Sequence, residues 1–175
     1  MVRHIASVIA APNVDTVTLT EMGPLTRAAE FEVDAYNAFD ALQAILLSFK
    51  TSLLSLSLRA INIPHFGRQD DILEPLPRLE NLTVSLVERG WDDGDRLYEF
   101  LSDEFCPNLR CLTIMDCPCL SYDNSGHVDM FIEERFNMGN PIQRLAIRYC
   151  GDLGSGQAGL LERLRQRVTE FEYVA

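Results

Sequence analysis

The six residues Leu109-Arg110-Cys111-Leu112-Thr113-Ile114 decide how this chain reads. Their apolar side chains fall at the first, fourth and sixth places, and the last two are spaced as on one face of a β-strand. The same order recurs at Val14, Val17 and Leu19; at Leu53, Leu56 and Leu58; and at Leu79, Leu82 and Val84. It returns at Ile142, Leu145 and Ile147, and again at Val168, Phe171 and Tyr173. Measured at the fourth place, the copies are 39, 26, 30, 33 and 26 residues apart. A degenerate period of that length is the signature of stacked supersecondary units. Pro12, Pro77 and Pro107 stand two residues before the first apolar place and Pro141 one before, so proline announces four of the copies.

Between the copies the apolar spacing changes to threes and fours, which predicts helices. The segments are Glu30–Phe49, Asp95–Phe105, His127–Phe136 and Gly159–Val168. In the third, Val128, Phe131, Ile132 and Phe136 share the predicted inner face; in the fourth, Leu160, Leu161, Leu164 and Val168 do so. Residues 1–12, with a short apolar run from Ile5 to Ala11, read as a first helix rather than a signal peptide. A strand followed by a helical return is the unit that lays consecutive strands parallel, and repeating it gives a solenoid.

Extended by three residues, Leu109-x-x-Leu112-x-Ile114-x-x-Cys117 and Ile142-x-x-Leu145-x-Ile147-x-x-Cys150 resemble leucine-rich repeats of the cysteine-containing kind. Met22, Ile61 and Val87 hold the same ninth place in other copies. The resemblance implies one α/β leucine-rich-repeat solenoid over residues 1–175, with about six irregular repeats. Its curved parallel β-sheet would lie on the concave side and its helices on the convex side, with the ninth side chain turned inward. The strands are expected near 14–20, 53–59, 79–85, 109–115, 142–148 and 168–174. The runs Phe105–Ile114 and Leu76–Val84 also resemble the repeat regions of fungal F-box proteins, where such solenoids recruit substrates to cullin-RING ubiquitin ligases. No F-box module is recognisable before the first copy, so the resemblance implies the receptor part without the adaptor-binding part.

In parallel strands the first, fourth and sixth places enter the core while the third, fifth and seventh face the concave side. The concave candidates are therefore Arg59, Asn81, Thr83, Ser85, Thr113, Met115, Arg144 and Arg148, in a setting of further Thr and Ser side chains. Counting all six strands, this face carries Arg59, Arg144 and Arg148 against Glu170 and Glu172, so it holds +1 while the remainder of the chain holds −12. Such a surface suits a protein partner, and the arginine pair toward its C-terminal end suits bidentate contact with carboxylates. The same Thr and Ser residues also suit any exposed strand. Trp91, within Gly90-Trp91-Asp92-Asp93-Gly94, reads either as an interface anchor or as a ring folded over the core edge.

Composition narrows the classes. The chain has 175 residues, 47% of them apolar, which is enough for a core. Its net charge of −11 argues against a nucleic-acid partner held by bulk electrostatics. No window approaches a membrane span. Five cysteines, an odd count confined to the C-terminal part, point to a reducing compartment, cytoplasmic or nuclear.

Other chemistry is weaker. Gly154-Ser-Gly156-Gln-Ala-Gly159 matches the dinucleotide fingerprint, but three residues separate it from the preceding strand. Cys106, Cys111, Cys117, Cys119 and His127 lack the paired spacing of zinc sites, and Asp92, Asp93 and Asp95 lack the remainder of a calcium loop. His4, His65 and His127 have no Ser or Cys motif near them. The expected function is thus a non-enzymatic protein-binding module without cofactor or metal, of the F-box substrate-receptor kind. A nucleotide-binding enzyme fragment using Gly154–Gly159 and an immune-sensor or scaffold repeat domain are the alternatives. The final strand carries no segment to cover it, which predicts a longer natural context, end-to-end association or low solubility.

Overall fold

Six five-residue strands, each with large apolar residues at its second and fourth positions, lie side by side in chain order. They are β1 (Thr16–Thr20), β2 (Ser55–Arg59), β3 (Asn81–Ser85), β4 (Cys111–Met115), β5 (Arg144–Arg148) and β6 (Glu170–Val174). The computed structural model describes residues 14–20, 46–59, 75–85, 105–117, 120, 125–153 and 159–175. Every neighbouring pair is parallel, and no register slips: Val17, Leu56, Leu82, Leu112, Leu145 and Phe171 form one continuous row across the sheet. The expected strands thus form over their last five residues, with the fourth places of all copies aligned.

A repeated backbone device starts β2 to β5. The Asp15 carbonyl accepts from the amides of both Leu54 and Ser55; Leu54 does the same for Glu80 and Asn81, Glu80 for Arg110 and Cys111, and Arg110 for Gln143 and Arg144. One forked carbonyl at the second place of a copy thereby anchors the next copy, which holds the register along the stack. Polar side chains add a second ladder at the same end. Arg78 donates to the Thr51 carbonyl, Asn108 to Pro77 and Asn140 to Pro107, the last two at 2.6 Å.

The other end of the strands carries a matching turn. Asp116 and Tyr149 occupy the eighth place of their copies, and both adopt left-handed backbone, with φ of 51° and 57°. Their amides reach the carbonyl of the seventh residue in the following copy, Arg148 and Val174. The reversal drives the ninth residue back under the sheet, so Cys117 and Cys150 are fully buried. Three residues later Leu120 and Leu153 are buried as well, an inward place the sequence reading did not assign.

Two helices are described in full, α1 (Ser125–Asn137) and α2 (Leu160–Arg167), and residues 46–49 are helical. Residues 1–12, 30–45 and 95–104, where further helices were expected, lie outside the described residues, and Phe105 falls in a turn. Leu46, Phe49, Val128, Phe131, Ile132, Leu160 and Leu164 join the strand residues in one apolar cluster, so the helical segments cover one face of the sheet. On their outer side Asp129 receives both Arg163 (2.8 Å) and Arg167 (2.7 Å), and Arg167 also reaches Glu133 (3.0 Å), which bolts α1 to α2.

The inner face of α1 corrects one expectation. Phe136 is half exposed, and Arg135 is buried in the stripe instead. At 100° per residue Arg135 lies near the centre of the arc set by Val128, Phe131 and Ile132, whereas Phe136 falls at its margin. The guanidinium is held by backbone carbonyls: Nε donates to Asn140, one terminal nitrogen to Cys106 and Pro107, and the other to Leu109 at 2.6 Å. It also lies over the Phe131 ring. A buried planar fork with five donors thus fastens α1 to the turn that enters β4.

Candidate polar face of the sheet

The rows opposite the core carry the candidate site. Register places Thr16, Ser55, Asn81, Cys111, Arg144 and Glu170 in one row; Thr18, Ser57, Thr83, Thr113, Ala146 and Glu172 in the next; and Thr20, Arg59, Ser85, Met115, Arg148 and Val174 in the third. Eight residues expected on a common surface, Arg59, Asn81, Thr83, Ser85, Thr113, Met115, Arg144 and Arg148, therefore do share one face. Trp91 lies outside the described residues, as do residues 154–158 of the glycine-rich run; Gly159 precedes the first turn of α2 in left-handed backbone.

Exposure along this face is graded. Arg59 and Arg144 are open to solvent, Asn81, Thr83, Thr113, Met115 and Arg148 are half-buried, and Ser85 is buried. Ala146 is also buried, a methyl group set between two arginines on its own strand and beside Glu172 on the next. Asn81 donates to the Ser55 hydroxyl at 3.2 Å. The Ser57 hydroxyl oxygen is buried without a hydrogen-bond partner.

The C-terminal arginines are committed within the chain. Arg148 grips Glu172 through two nitrogens, each 2.8 Å from a carboxylate oxygen, and Arg144 stands 3.7 Å from Glu170. The fork on Arg148 holds the Glu172 carboxyl below the usual carboxylate range, and the same bond raises the Arg148 guanidinium. The expectation that this arginine pair waits for carboxylates of a partner is corrected for Arg148: the partner strand β6 supplies the carboxylate. Glu172 lies on the neighbouring strand, two residues before the register partner of Arg148.

The described cysteines show no reactive setting. Cys106 is buried beside Arg135, and burial pushes its thiol well up; burial likewise raises half-exposed Cys111, with Arg144 pulling the other way. Cys106, Cys111, Cys117 and Cys150 form no disulfide, and among the described residues no three His, Cys, Asp or Glu side chains are grouped to hold a metal ion. Among the described residues no helix is long and apolar enough to cross a membrane. No protein-family model matches this chain, and neither a curated protein nor a solved structure does so.

Proposed function

We propose that this chain is a non-enzymatic protein-binding module of leucine-rich-repeat type, which presents its polar sheet face as a concave surface to a protein partner. The observation that carries the reading is the in-register row structure: six parallel strands set fourteen Thr, Ser, Asn, Arg and Glu side chains on one face, with Met115 and Val174 the larger apolar groups among them, while the other face is apolar. In its finer form the module recognises substrates for a cullin-RING ligase of the F-box type, in a cytoplasmic or nuclear compartment. The likeness of Phe105–Ile114 and Leu76–Val84 to fungal F-box repeat regions supports that form.

The test pairs two variants. Thr83→Arg puts bulk and charge at the centre of the polar face, and Met130→Arg puts the same side chain on the exposed outside of α1. A partner captured by the unaltered chain should be lost with the first and kept with the second. Equal loss or equal retention would sink the reading. Recovery of cullin-RING components in the same capture supports the finer form, and their absence removes it.

A further inference from the structure

Taking the polar face as the binding surface, we infer that Arg59 forms a site for one carboxylate, supplied by an acidic residue in an extended segment of the partner. This rests on the reading above and adds the chemistry of the ligand. Arg59 is exposed and, unlike Arg144 and Arg148, makes no hydrogen bond or ion pair among the described residues. Register sets it between Thr20 and Ser85, while Thr18, Ser57 and Thr83 fill the adjoining row.

The contrast within one face carries the argument. On β5 each arginine finds a glutamate one strand away; on β2 the same distance offers only hydroxyls. Glu170 and Glu172 lie four strands from β2, roughly 19 Å along the sheet, beyond the reach of any arginine. Among the described residues the Arg59 fork is therefore a bidentate donor set with no acceptor on this face. Charge chooses between anions: one guanidinium among neutral hydroxyls balances a single negative charge. A phosphate would bring about two, into the field of a chain whose net charge is −11.

The probes are blocked peptides alternating Thr and Val with one central Glu, Gln or phosphoserine, titrated into the full chain while the arginine Nε–H resonances are followed. The Glu peptide should move the Arg59 resonance and leave that of Arg148 in place. Replacing its Glu by Gln, or substituting Arg59→Gln in the protein, should each weaken binding about tenfold, the worth of a charge-assisted pair. The phosphoserine peptide should bind no more tightly than the Glu peptide. No binding of the Glu peptide, equal affinity for the Glu and Gln forms, indifference to Arg59→Gln, or clear preference for phosphoserine would each overturn the site. Binding indifferent to Arg59→Gln but abolished by Thr83→Arg would overturn Arg59 alone and leave the polar face as the binding surface; indifference to both would remove the two together.

Discussion

Leu112 and Thr113 are neighbours in β4, yet they belong to surfaces under opposite constraints. On the Leu112 side every copy repeats large apolar groups, and the four inner strands bury them almost completely. On the Thr113 side the residues change from strand to strand: hydroxyls on β1 to β3, a cysteine and a methionine on β4, ion pairs on β5 and β6. Packing tolerates little variation in volume, whereas a solvated strand face tolerates most side chains. The difference teaches that the repeat is conserved within the molecule only where stacking demands it, which leaves the other face free to carry recognition.

The largest test of that contrast is Arg135, the one long charged side chain among the described residues that is buried on the packed side. Arg135→Met should cost about 4 kcal/mol, because four backbone carbonyls lose their donor. Arg135→Lys should recover less than half, since a single ammonium cannot reproduce the fork. Urea unfolding midpoints check both, and a loss under about 1 kcal/mol would mean that those carbonyls are satisfied without the guanidinium. Next, Leu112→Ala should cost about 3 kcal/mol and Thr113→Ala no more than about 0.5 kcal/mol, from the same measurement. Similar losses for these adjacent positions would erase the distinction between the faces.

A smaller effect of opposite sign is expected at Ser57. Removing its orphaned hydroxyl by Ser57→Ala should stabilise the fold by up to about 1 kcal/mol, and a clear destabilisation would mean that the oxygen has a partner in solution. The smallest effect concerns Glu172. Its carboxyl titrates below its unfolded value because Arg148 holds it, so the pair's contribution is complete above the ordinary carboxylate range and is lost as pH falls through the depressed pKa. Stability curves of the unaltered chain and of Glu172→Gln should therefore converge toward acid pH. Curves that stay parallel would show that the pair contributes nothing.

The strands were legible because three apolar places recur in each copy, and a one-residue slip would have turned all of them to solvent. The inward ninth place was legible at Cys117 and Cys150, but its cause was not: it is the left-handed turn at Asp116 and Tyr149, and of these two residue types only aspartate favours such a backbone. Leu120 and Leu153 were available to the same alignment, three residues beyond each cysteine. Arg135 was missed because a charge in an apolar stripe reads as a face boundary unless its angle is worked out. The Arg148–Glu172 fork was missed because strand neighbours separated by an entire helical return cannot be paired until the register is known.

By itself the sequence determined the number of strands, their direction, their alignment and which side chains face which way, since those follow from a local period and from the need to bury what is apolar. Tertiary structure alone decided which charges meet. Ion pairs such as Arg148 with Glu172 and Arg163 with Asp129, and the carbonyl clamp on Arg135, join residues 24 to 38 positions apart or fasten a helix to a distant turn. Coulombic partners are chosen by distance in space, and no local pattern records that distance. Arg59 remains outside those pairings for the same reason: among the described residues of its face the only glutamates, Glu170 and Glu172, stand four strands away.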